Sequence, residues 1–213
     1  MKLYSYWRSS AAYRVRIALH IKQLGFETIP VHLLQDGGQQ HHAAYQALNP
    51  AQLVPVLQDE HVSLHQSLAI IEYLDEVYPE PALLPADPVG RAQVRALALD
   101  IACDIHPLNN LRVLQYLTGP VALSEQQKLN WIQHWLATGF TALEQRLEHT
   151  AGEYCFGDQV SLADLCLVPQ VYNALRFQLD LQPYPQINRL YHHCQQLAAF
   201  ALAAPEQQPD AQL

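Results

Sequence analysis

Four prolines fall within the ten residues PEPALLPADP, at positions 79, 81, 85 and 88. Proline fixes φ and has no N–H to donate, so neither a helix interior nor a central strand can run through this stretch. The chain must fold as two parts joined here. With 213 residues, 50% of them hydrophobic, there is enough apolar surface for two cores. The expected organisation is a first domain over residues 1–80, a linker over 81–88 and a second domain over 89–213.

The two sides of the linker read differently. Before it, KLYSYW (2–7) reads as a strand. A helix follows at once and runs to about Leu24, with Gly25 as its expected C-cap. FETIPVHLL (26–34) reads as a second strand, and Pro30 assigns it to a sheet edge because proline cannot donate to a ladder. The polar loop QDGGQQHH leads to a short helical stretch near 41–47. VPVLQD (54–59) and VSLH (62–65) form a hairpin about Glu60–His61. QSLAIIEYLDEVY (66–78) has helical spacing, with Leu68, Ile71, Leu74 and Tyr78 on one face. The order βαβ–ββα makes this an α/β domain.

Beyond the linker every pattern is helical. Long amphipathic stretches cover 88–117 and 124–149, split at Gly119-Pro120. Ser161 and Asp164 have the spacing of a capping box at the start of SLADLCLVPQVYNALRF. A last helix opens at Pro185 and stops before Pro205, leaving PEQQPDAQL as a loose polar tail.

The net charge of −8 argues against nucleic acid or an acidic membrane as partner. Its distribution says more. Residues 1–26 hold Lys2, Arg8, Arg14, Arg16 and Lys22 and no carboxylate, the first being Glu27. That pattern fits either a small anionic ligand or a solvated basic helix face. No apolar run approaches the roughly 18–20 residues of a membrane span, and no signal-type segment opens the sequence, so a cytoplasmic location is expected. The cysteines, Cys103, Cys155, Cys166 and Cys194, form no C-x-x-C pair; they read as buried, reduced structural thiols, and no metal site is expected.

Ser9 and Ser10 stand at the mouth of the first helix. A helix N-terminus presents unpaired N–H groups and about half a positive charge. It therefore binds anions and lowers the pKa of a thiol placed there. One serine can cap the helix while the other donates to a thiolate, and the sequence leaves open which does which.

RSSAAYRVRIAL, QDGGQQ, ALNPAQLVP, HQSLAIIEYL, DIHPLNNLRVLQYL and SLADLCLVPQVYNALRF together resemble the zeta class of glutathione transferases, over essentially the whole chain. The resemblance implies a thioredoxin-like first domain, an all-helical second domain, glutathione as cofactor and a homodimer. It implies cis–trans isomerisation of maleylacetoacetate to fumarylacetoacetate, a step in aromatic amino-acid breakdown. Maleylpyruvate is the alternative substrate, and general conjugation or a non-catalytic binding module are the other readings. Ser9 and Ser10 would be catalytic. Ser10, Gln40, Val54, Pro55, Gln66, Ser67, His106 and Asn110 would contact glutathione, with a cis Val54–Pro55 bond and the γ-glutamyl carboxylate at Ser67. Asn109 would line the pocket floor. Arg8 and Arg176, with Arg112, would hold a small dicarboxylate substrate, because a guanidinium grips a carboxylate at two points. Arg14 and Arg16 read as structural. Ala11 stands where many zeta-class proteins carry cysteine, which weakens a mechanism needing a protein thiol there and leaves intact one in which the thiol arrives with glutathione. Leu111 stands where relatives that act on maleylpyruvate carry a further arginine.

Overall fold

The computed structural model describes residues 1–212 and divides into two compact units, one of Met1–Ala82 with the residues from Gln196 onward, the other of Leu83–Gln195. The first unit holds β1 (Lys2–Ser5), α1 (Ser10–Ile21), β2 (Glu27–Pro30), α2 (Ala43–Leu48), β3 (Val56–Gln58), β4 (Ser63–His65), α3 (Ser67–Val77) and α9 (Ala198–Ala203). Its sheet has the order β2-β1-β3-β4. β1 runs parallel to β2 and antiparallel to β3, which pairs antiparallel with β4. Pro30 lies on the edge strand, where its missing N–H costs no ladder bond.

Period-2 alternation separates the faces of this sheet. Leu3 pairs with Leu57 and Tyr4 with Val56. Leu3 and Leu57 are wholly buried. On the other face Val56 joins Tyr6, Trp7, Val31, Tyr45 and Val54 in a second cluster, against which Tyr4, Leu48 and Ala211 pack. Helix α1 is buried along nearly its whole length and packs on α3 and α9.

Burying two arginines in α1 requires partners, because an unpaired buried charge is costly. Arg16 donates from Nε to Ala203 O (3.0 Å), from Nη1 to Ser5 Oγ (3.1 Å) and from Nη2 to Trp7 O (3.0 Å). It thereby joins α1 to β1, to the loop after it and to α9. At the other end of α1, Lys22 Nζ donates to Asp75 Oδ1 (2.6 Å), Tyr78 O (2.7 Å) and Pro81 O (2.6 Å).

The end of α1 departs from expectation. Gln23, not Gly25, takes the left-handed conformation (φ +54°). Gln23 N donates to His20 O and Leu24 N to Leu19 O, the paired bonds of a Schellman cap. The second strand is also shorter than 26–34. After Pro30 only Val31 N continues toward β1, on Ser5 O.

The second unit contains α4 (Pro88–Leu99), α5 (Leu111–Thr118), α6 (Glu125–Thr150), α7 (Leu162–Arg176) and α8 (Pro185–Gln195). The expected continuous stretch 88–117 is broken. After α4 comes a π-helical turn (Asp100–Ile105), then a 3-10 turn (His106–Asn109), before α5 begins. Pro107 removes one donor and restricts His106, and Asn110 opens a new helix by capping it. Gly139 of α6 makes room for this turn: a Cβ there would lie 2.3 Å from Ile105.

The capping box at Ser161–Asp164 forms as expected. The buried carboxylate accepts from Ser161 N and Cys155 N (both 2.8 Å) and from Ser161 Oγ (2.9 Å). Cys155, Cys166 and Cys194 are buried, whereas Cys103 is exposed on the π-helical turn, contrary to expectation. Burial pushes the Cys155 and Cys194 thiols up, and Asp164 adds to the effect.

Two further expectations fail near the last helix. The stretch from Pro185 is not one helix: α8 ends at Gln195 and α9 begins at Ala198. The tail is not loose. Gln208 is buried, and its Nε2 donates to Leu202 O (3.1 Å) and Ala204 O (2.9 Å). Residues from Gln196 onward, grouped above with the helical half, pack with the first unit.

Candidate functional site

The loop from β1 to α1 builds the first element of the site. Ser9 N donates to Tyr6 O (2.9 Å), closing a tight turn that ends in the helix. Ser9 is the N-cap, in extended conformation, and its Oγ accepts from Ala12 N at 3.2 Å. An accepting hydroxyl still has its proton to give, so the cap and a donor to a bound anion are one group. Ser10 is the first residue of α1 and is buried. Ala11 is half-buried in the same turn. The half-buried Arg8 lies over the Trp7 ring at 4.6 Å and donates to Tyr6 Oη (3.3 Å).

A second helix N-terminus lies in the same unit. α3 opens after Gln66, whose φ is +71°, and no side chain caps it. Its first-turn N–H groups are thus left for an anion. Ser67, buried at that start, accepts from Arg14 Nη1 at 3.3 Å. A guanidinium buried to 2% exposure therefore stands behind the serine hydroxyl and adds positive charge to the uncapped helix end. The sequence reading gave Arg14 only a structural part. The missed signal was its place one helical turn after Ser10, which aims it along the same face of α1.

The loop before β3 supplies an edge. Leu53 O is taken twice, by Tyr45 Oη (2.8 Å) and Asn49 Nδ2 (2.7 Å). Val54 enters no backbone hydrogen bond among the described residues, and Val54–Pro55 is cis. The Val54 N–H and C=O can therefore pair with an extended peptide. Gln40 is buried in a 3-10 turn (Gln39–His41), donating from Nε2 to Leu33 O (3.3 Å), while its Oε1 has no partner among the described residues. Gly38 (φ +96°) permits this: a Cβ there would come within 2.5 Å of the Gln40 amide.

The second unit carries the remaining expected residues. His106 opens the 3-10 turn, and the buried Asn109 donates to Ile132 O (3.5 Å). Asn110 is the N-cap of α5, its Oδ1 accepting from Arg112 N at 3.2 Å. Arg112 and Arg176 are both exposed, Arg176 at the end of α7 and 5.2 Å from the Phe177 ring. A separate surface cavity of about 340 Å³ against Ile29, Val31, His42 and Tyr45 includes none of these residues.

The first unit thus offers two helix N-termini, one capped by a hydroxyl and one backed by a buried guanidinium, with a free backbone edge at Val54. That donor set suits a peptide bearing a carboxylate and an acidic thiol.

Comparison with known proteins agrees. The model of the glutathione S-transferase N-terminal domain matches residues 3–82, and that of the C-terminal domain matches residues 112–201. A probable maleylacetoacetate isomerase of Vibrio cholerae serotype O1 is 60% identical over 98% of this chain and 97% of its own length. The holo structure of a maleyl pyruvate isomerase, a bacterial zeta-class glutathione S-transferase, superposes with a TM-score of 0.96 at 48% identity, covering 100% of both chains. The maleylacetoacetate isomerase of Methylobacterium extorquens AM1, solved with bound malonate and GSH, gives 0.95 at 40% identity, again covering 100% of both chains.

Proposed function

Because the chain belongs to the glutathione S-transferase family through both its halves, we propose that it is a glutathione-dependent cis–trans isomerase converting maleylacetoacetate to fumarylacetoacetate. The observation that carries this reading is the pair of helix N-termini in the first unit, one at Ser9 and one at Ser67 backed by Arg14. When bound, glutathione supplies a thiol whose ionised form adds reversibly to an alkene conjugated with a carbonyl, so that the former double bond rotates before the thiol departs.

The residues of this chain do the rest. The α3 N-terminus, Ser67 and Arg14 receive the γ-glutamyl carboxylate as an anion on a helix dipole. Val54 pairs with the peptide backbone, and Pro55, Gln66 and Gln40 shape that edge. The α1 N-terminus holds negative charge on sulfur, and the Ser9 hydroxyl donates to it, with Ser10 buried in the same turn. Both effects favour the ionised thiol near neutral pH. His106 and Asn110 are further contacts to the tripeptide. Arg8, Arg112 and Arg176 hold the carboxylates of the substrate. No protein cysteine has a part, so Ala11 is compatible with the reaction.

The test is an assay of purified protein with maleylacetoacetate and a small, fixed amount of glutathione. Many turnovers per glutathione are expected. Consumption of one glutathione per product would make the protein a conjugating transferase, and no turnover would sink the isomerase reading. A maleyl pyruvate isomerase at a TM-score of 0.96 makes maleylpyruvate the second substrate to test. We expect turnover of both, with the higher kcat/KM for maleylacetoacetate. No helix of the described residues is long and apolar enough to cross a membrane, and the working form we propose is a cytoplasmic homodimer.

A further inference from the structure

The loop that presents Arg8 and Ser9 is held from outside. Trp7 is 5% exposed, so its peptide groups need partners within the protein. Its carbonyl accepts from Arg16 Nη2 (3.0 Å). Its N–H donates to Asp210 Oδ2 at 3.0 Å, across 203 positions of sequence. Asp210 is itself anchored. Gln208 ties the segment to Leu202 O and Ala204 O, Ala211 N donates to Gln208 O (3.0 Å), and Ala211 packs on the cluster containing Tyr6 and Trp7. Arg16 reinforces the same joint by holding Trp7 O and Ala203 O at once.

We propose that Asp210 is a positioning residue for the catalytic helix mouth: the segment 205–212 folds back as a strap whose carboxylate fixes the Trp7–Ser9 turn, and so fixes the direction of the Ser9 hydroxyl. Trp7 stands two residues before Ser9 in a turn closed by the Ser9 N to Tyr6 O bond. Rotation of the Trp7 peptide would carry both the Arg8 side chain and the N-cap with it. Asp210 acts through the backbone of Trp7, whose N–H it holds. The proposal rests on the isomerase reading for its kinetic consequence but not for its structural one.

The experiment compares the full-length protein with Asp210→Ala and Asp210→Asn. In the free protein, amide hydrogen exchange over residues 6–12 should quicken roughly tenfold in Asp210→Ala, the equivalent of one lost hydrogen bond to a charged acceptor. Asp210→Asn keeps an oxygen acceptor and should recover most of the protection. With glutathione bound, Asp210→Ala should raise the pH at which the thiolate absorbance appears and lower kcat about 3–10-fold, leaving KM for the dicarboxylate nearly unchanged. Wild-type exchange over residues 6–12 in Asp210→Ala would overturn the proposal. So would equal damage by Asn and Ala, or a lowered Tm with the thiolate titration and kcat untouched. If the wild-type protein turns over nothing while Asp210→Ala still loosens residues 6–12, the isomerase reading fails and the strap stands.

Discussion

Arg14 and Arg16 lie two positions apart on one buried helix, yet they serve different ends. Arg16 meets three oxygens of the protein itself. Arg16→Met would leave Ala203 O and Trp7 O buried without their donor, and should cost about 3 kcal/mol or more in urea unfolding. Arg14 reaches Ser67 at the uncapped start of α3. Arg14→Met should weaken glutathione binding about tenfold by calorimetry, with kcat at saturating glutathione little changed. Ser9→Ala removes both a cap and a donor. It should lower stability by about 1 kcal/mol and kcat by roughly 10–100-fold, with the bound thiol titrating at higher pH. From the sequence alone, the charge excess near the first helix fits either an anionic ligand or a solvated helix face, and the two arginines cannot be told apart. Which way a side chain leaves α1 depends on what α3 and α9 bring to it, and those contacts are remote in sequence.

At the scale of elements, local signals carried well and tertiary ones did not. The edge position of β2 followed from Pro30, and the start of α7 from Ser161 and Asp164, because each cause lies within the element. The break between Gln195 and Ala198 has no glycine or proline to mark it. It exists because Phe200 buries completely in the first unit, where its carbonyl accepts from Tyr13 Oη (3.3 Å). Gln23 and Gln66 likewise take left-handed conformations that their residue type does not advertise. The last turn of α1 also sets a pH response. Burial first, and then the Arg16 charge, hold the His20 imidazole below its ordinary 6.5. Above that value His20 is neutral in folded and unfolded chains alike. As pH falls below it, the unfolded chain binds the proton first, and stability declines until the folded-state value is passed. His20→Leu should therefore flatten the fall of Tm below pH 6.5, as followed by calorimetry across a pH series.

At the scale of the whole molecule, the chain divides within the proline-rich stretch, at Ala82 and Leu83, and again at Gln195 and Gln196, where no proline stands. The linker reading assumed that each unit is a continuous stretch of chain. Residues from Gln196 onward break that rule by returning to the first unit, bringing α9 against α1. The candidate residues at Ser9, Ser67 and Val54–Pro55 can be named from sequence because helix starts, serines and an X–Pro pair are local features. The cis bond and the part of Gln40 came only with the family resemblance, since nothing in a single loop glutamine reveals its burial.

The return of α9 bears on how this protein is made. During synthesis the β1–α1 segment leaves the ribosome first, but the groups that complete it, the carbonyls of Phe200 and Ala203, are translated last. A nascent chain stalled anywhere before residue 200 should hold α1 without its final neighbour, protease-sensitive between Tyr13 and Lys22, and should become resistant only once α9 has emerged. A fragment ending at Ala82 should share that weakness, and adding a peptide of residues 196–212 in trans should relieve it.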